Sequence, residues 1–96
     1  MLVEKLTFIP KRGQQDKVVE LIKKSEVFDP FKVSYRILVP SIGPFDIVVT
    51  ELEFKDILER EKYWAGFLEK APESFWKEWN DATENGGGTE VWLVAE

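Results

Sequence analysis

Residues 31–52, FKVSYRILVPSIGPFDIVVTEL, decide the fold. Two runs rich in β-branched and aromatic residues, 31–39 and 45–52, flank the segment Pro40-Ser41-Ile42-Gly43-Pro44. Two such runs around a proline- and glycine-rich interruption predict a β-hairpin. Pairing Val39 with Phe45 sets Ile37 opposite Ile47, Tyr35 opposite Val49 and Val33 opposite Glu51. That nearly apolar set is expected to pack on helices. Ser34, Arg36, Leu38, Asp46, Val48 and Thr50 then form the mixed opposite face.

The flanking elements follow from periodicity. Residues 2–9 (LVEKLTFI) read as a strand ended by Pro10. Gly13 precedes a helix from about Gln14 to Ser25, with Val18, Leu21, Ile22 and Ser25 on one face. Asp29-Pro30 breaks the chain. After the hairpin a helix runs from about Phe54 to Lys70. Pro72 opens a further helix, with Glu73 near the positive end of its dipole and Phe75, Trp76 and Trp79 on one face. Asn85 to Gly88 read as a loop, a helix exit or a lid, and residues 89–95 (TEVWLVA) as the last strand. The order β-α-β-β-α-β predicts an α+β fold, a ferredoxin-like sandwich forming one domain over residues 1–96. Its four-stranded antiparallel sheet has strand order 4-1-3-2 and carries both helices on one face. Leu38, Val48, Trp92 and Val94 leave the second sheet face half apolar. A second copy pressed sheet to sheet covers such a face, so a homodimer is expected.

Composition narrows the chemistry. The chain is 44% hydrophobic and 32% charged, as in a globular domain. No apolar run approaches the roughly 20 residues of a membrane-spanning helix, and residues 1–9 carry no signal-peptide pattern. A cytoplasmic location without a membrane partner is therefore expected. Thirteen basic side chains lie scattered among 18 acidic ones, so nucleic acid is not an expected partner. Cysteine and histidine are absent. That removes thiol nucleophiles, thiolate zinc sites, imidazole bases and a proximal histidine on haem. A metal would need carboxylate and carbonyl oxygens. Gly86-Gly87-Gly88 lacks the Lys-Ser/Thr of a phosphate-binding loop. Neither a metal nor a cofactor is expected.

Glu61 stands out because it interrupts an apolar helical stripe of Phe54, Ile57, Leu58, Trp64, Ala65 and Leu68. Glu4 and Glu51 also sit at apolar-patterned positions. Together the three would form a carboxylate cluster under the helices, near Tyr35. Desolvation and like-charge crowding would then raise one of them toward the range of a general base. In that reading Glu61 is the catalytic base or polar anchor, Tyr35 a donor, and Glu51, Trp64, Trp76 and Trp79 line a ligand site. In the plainer reading Glu4 and Glu51 are strand-end residues in solvent. Glu61 is then hydrogen-bonded to Tyr35, Trp64 or a basic neighbour, and the aromatics are core or interface. Arg36 and Asp46 fit an ion pair at the dimer interface, or a clamp for a substrate carboxylate.

Glu53-Phe54, then Leu58-Glu59-Arg60, Pro72, the Phe75-Trp76 pair and Trp79 carry a resemblance. With them the chain resembles the dimeric α+β barrel superfamily, nearest its NIPSNAP-type branch. The match covers residues 45–80 and elsewhere rests on topology. It departs at Leu52, where a tryptophan is common, and in the longer spacing from Pro10 to Gly13. The resemblance implies a homodimer with a small cavity between sheet and helices. The superfamily includes cofactor-free monooxygenases, isomerases, degrading enzymes and haem enzymes, the last relying on a histidine that this chain lacks. Two functions stay open at this point. One is binding or transformation of a small apolar or aromatic molecule in that cavity. The other is a non-catalytic dimeric structural or protein-interaction module.

Overall fold

The computed structural model describes residues 1–95. The chain runs β1 (Leu2–Pro10), α1 (Gln15–Lys24), a short 3-10 helix (Ser25–Phe28), β2 (Tyr35–Leu38) and β3 (Val48–Phe54). It continues through α2 (Ile57–Lys70) and α3 (Glu73–Ala82) to β4 (Thr83–Leu93). The sheet order is β2-β3-β1-β4 and every neighbouring pair is antiparallel. This is the expected ferredoxin-like α+β arrangement, with the order 4-1-3-2 read from the other edge.

One face of the sheet is buried by the helices. Leu2, Glu4, Leu6 and Phe8 on β1 alternate with Val3, Lys5, Thr7 and Ile9, as a strand requires. On β3 the buried set is Val48, Thr50, Leu52 and Phe54. Against these pack Val18, Leu21 and Ile22 of α1, Tyr63 and Phe67 of α2, and Phe75 and Ala82 of α3. Phe54, Leu21, Val18 and Val48 are among the largest side chains to lose all contact with solvent. Local chemistry starts α2. The Asp56 carboxylate accepts from the Glu59 backbone N–H at 2.9 Å, and the Glu59 carboxylate reaches back to the Lys55 N–H at 2.9 Å. This reciprocal capping satisfies amides that have no partner within the helix.

The hairpin register differs from the sequence expectation. Tyr35 faces Leu52, Arg36 faces Glu51, Ile37 faces Thr50 and Leu38 faces Val49. Tyr35 thus meets Leu52 instead of Val49, a slip of three positions, and an odd slip turns β3 over. Val48 and Thr50 therefore lie under the helices, and Glu51 lies on the open face. The cause is the length of the connection. Asp46 adopts φ 54° and Gly43 φ 136°, which keeps this stretch out of the ladder. The β2 strand is also shorter than residues 31–39. The Asp29 carboxylate captures the backbone N–H groups of Phe31 and Val33, each at 2.7 Å, and Lys32 takes φ 54°. Those amides belong to a side-chain turn rather than to a strand.

Asn85 to Gly88 are not a loop or lid. They lie within β4, which follows α3 directly. Thr7 pairs with Gly88 and Ile9 with Glu84, so β4 advances four residues while β1 advances two. The excess is a β-bulge at the glycines.

Candidate functional site

Glu4 is the buried charge of this fold, 1% exposed. Its Oε2 accepts from Arg60 Nη2 at 2.7 Å, Arg60 Nε at 3.2 Å and Thr89 Oγ1 at 2.8 Å. Its Oε1 accepts from the Trp64 indole N–H at 2.6 Å. The strand pleat turns Glu4 toward the helices. Arg60 and Trp64 lie one helical turn apart on α2 and so project from the same face. β4, beside β1, adds Thr89. A buried carboxylate with four donors is a satisfied network rather than a free base.

The expected cluster of Glu4, Glu51 and Glu61 does not assemble. Glu61 is exposed, because the buried stripe of α2 runs through Arg60, Tyr63, Trp64 and Phe67. Of the stripe expected to pack inward, Phe54 and Trp64 do so, whereas Ile57, Leu58 and Leu68 are 53%, 54% and 59% exposed. Glu61 is therefore not the buried group that the stripe suggested, and it lies outside the cavity wall described below. Glu51 leaves the candidate set too. It faces away from the helices and binds Arg36 Nε at 2.6 Å. Arg36 therefore pairs with Glu51 rather than Asp46, on the sheet face away from the cavity.

A cavity of about 140 Å³ lies between sheet and helices. The structure brings Tyr35, Trp64, Trp76 and Trp79 to its wall, with Tyr63, Phe67 and Phe75 completing an aromatic lining. The rings meet edge to face in places, Phe8 on Trp79 at 4.8 Å and Tyr63 on Trp64 at 4.9 Å. Trp64 therefore has two roles, since its N–H holds Glu4 while its ring walls the cavity. Polar atoms are few. Thr50 lines the cavity, and its buried hydroxyl has no hydrogen-bond partner among the described residues. Burial, then the charges of Asp29 and Glu4, push the Tyr63 phenol well above its ordinary range. Burial, then Glu26, raise Tyr35. Both phenols therefore stay protonated at neutral pH and are donors. Among the described residues no group of three or more Asp or Glu side chains is placed to hold a metal ion.

No family model and no curated protein matches the sequence. Solved structures do match. A NIPSNAP-family protein of unknown function from Agrobacterium tumefaciens superposes with a TM-score of 0.80 at 18% identity, over 99% of this chain and 88% of that one. The chain has the NIPSNAP fold. A NIPSNAP-like domain protein from Burkholderia xenovorans gives a TM-score of 0.81 at 15% identity, over 98% and 84% of the two chains. A structure described as an antibiotic biosynthesis monooxygenase gives 0.68 at 17% identity over 100% of both. At these identities the likeness is one of fold. No helix of the described residues is long and apolar enough to cross a membrane.

Arg60, Thr89 and Thr50 are the residues that sequence reasoning missed. A signal for Arg60 exists. It shares a helical face with Tyr63, Trp64 and Phe67, an alternative stripe to the one built on Leu58 and Leu68. Thr50 and Thr89 have no local signal, because their roles depend on the hairpin register and on the β4 bulge.

Proposed function

We propose that this chain is a NIPSNAP-type homodimer whose subunits each bind a small, flat, largely apolar molecule in the helix–sheet cavity. The observation that carries this is an aromatic-lined cavity whose wall includes Thr50, a residue 3% exposed whose hydroxyl has no partner among the described residues. Leaving such a group unsatisfied costs about 1–3 kcal/mol, a cost that a ligand with one polar atom removes. The volume of about 140 Å³ suits a single ring, since an apolar cavity of about 150 Å³ accepts benzene. Trp64, Trp76 and Trp79 supply the walls, and Tyr35 a donor.

Tryptophan fluorescence titrated with one-ring aromatics of differing charge tests the reading. A saturable change is expected for at least one of them. Thr50→Val is expected to raise the stability of the unliganded protein by about 1 kcal/mol while weakening binding about tenfold, or 1.4 kcal/mol. A protein that binds no one-ring compound of any charge is not a cavity-binding protein of this kind.

The open sheet face supports the dimer. Leu38, Trp92 and Val94 are 39%, 58% and 45% exposed there, and an interface of standard size, about 1,600 Å² in total, would cover such a face. Val48 drops out of this set, being 0% exposed beneath the helices. Light scattering is expected to return twice the 11.2 kDa chain mass. Trp92→Asp is expected to halve it with the fold retained, because the new charge would face the partner sheet. A wild-type mass of a single chain would overturn the dimer.

A further inference from the structure

We propose that the cavity ligand carries a positive charge, and that the cavity takes a one-ring aromatic ammonium ion, ring inward and nitrogen toward Glu26 and Asp29. This inference rests on the cavity-binding reading above. The first support is the sign of the lining. Its charged members are the carboxylates of Glu26 and Asp29, and it contains neither lysine nor arginine. The nearest cation on α2 that faces inward, Arg60, is committed to Glu4. Arg36 lies on the other sheet face with Glu51. An anion entering this cavity would lose its hydration and meet two negative charges with no compensating donor fork.

The second support is the position of the carboxylates. Glu26 is the exposed member of the lining and so marks the mouth. Among the described residues it makes no side-chain hydrogen bond or ion pair. Asp29, held in place by its bonds to the Phe31 and Val33 amides, also lines the cavity. Behind them stand Tyr63, Phe67, Phe75 and Trp76, whose ring faces attract a cation. Burial first, then Glu26 for Tyr35 and Asp29 for Tyr63, raises the two phenols of the wall. Thr50, 3% exposed and with a hydroxyl that has no partner among the described residues, is also part of the wall.

Three probes of nearly equal shape separate the possibilities: benzylammonium, benzyl alcohol and benzoate, titrated by calorimetry at low salt. The ammonium ion is expected to bind at least tenfold more tightly than the alcohol, and benzoate at least tenfold more weakly. Glu26→Gln is an exposed change that should leave folding intact. It is expected to weaken the ammonium ion about threefold to tenfold and to leave the alcohol unchanged. Equal affinity for alcohol and ammonium, or a preference for benzoate, overturns the charge inference and leaves the cavity reading standing. An ammonium preference untouched by Glu26→Gln overturns the assignment to the mouth. Binding of none of the three overturns both readings.

Discussion

Arg60→Ala is expected to cost about 3 kcal/mol of stability, the low end of the range for breaking a buried ion pair by removing one partner. The low end applies because the Arg60 side chain is 26% exposed, so water already screens part of the charge. The loss is not that of an ordinary surface pair, which is worth about 0–1 kcal/mol. Truncation leaves Glu4, 1% exposed, with only Thr89 and Trp64 as donors. Denaturant unfolding measures the effect. The double variant Glu4→Leu/Arg60→Met removes both charges and is expected to recover most of the loss, because no carboxylate then stays buried without its cation. If Arg60→Ala alone costs less than about 1 kcal/mol, the pair behaves as a surface contact and the network does not hold α2 to the sheet. Ligand binding gives a second readout. Trp64 is aimed by its bond to Glu4, so losing that network should loosen a cavity wall and weaken binding in the variants that still fold.

The same network shows what the sequence made legible. Glu4 shares a strand face with Leu2, Leu6 and Phe8, and the pleat alone places it under the helices. The partner, Arg60, lies 56 residues away in sequence, and no local pattern links the two. The phase of α2 was ambiguous for a related reason. Ile57, Leu58, Trp64 and Leu68 form one apolar stripe, and Tyr63, Trp64 and Phe67 form another that shares Trp64 with it. Hydropathy ranks both as buriable, yet only one meets the sheet, and the choice is made by elements far along the chain. The first stripe, packed inward, would bury Glu61. The hairpin was legible as two strands and a turn, and the strand order followed from connection rules. Its register was not, because the ladder ends where Asp29 captures two amides and where Asp46 turns to positive φ. Those features moved Thr50 inward and Glu51 outward, exchanging one site residue for another. Trp64, Trp76, Trp79 and Tyr35 reach the cavity regardless, since the inward faces of α2, α3 and β2 do not depend on the register of β3.

Gly87→Ala is the second large effect, again about 3 kcal/mol, composed of two costs. Gly87 has φ 76°, and an L-residue held in the left-handed region costs roughly 1–2 kcal/mol. An added Cβ would also collide with the Thr7 carbonyl oxygen and lie 3.1 Å from its carbon. These are backbone atoms of a strand paired on both sides, so they cannot swing aside as a side-chain tip would. Overpacking of this kind costs about 1–3 kcal/mol. Gly88→Ala is the matched control. It lies next in the chain, has negative or extended φ, and its Cβ would meet nothing within 4 Å. A change within about 0.5 kcal/mol is expected there, as for most surface substitutions. The contrast also bears on the site. The bulge lets β4 begin immediately after α3, whose Phe75, Trp76 and Trp79 wall the cavity, and it lets Thr89 reach Glu4. A shift of the Glu4 network, read as altered Trp64 fluorescence in Gly87→Ala but not in Gly88→Ala, is the expected result. Equal stability of the two variants would mean that the glycine run is a flexible loop and that the bulge does not position Thr89.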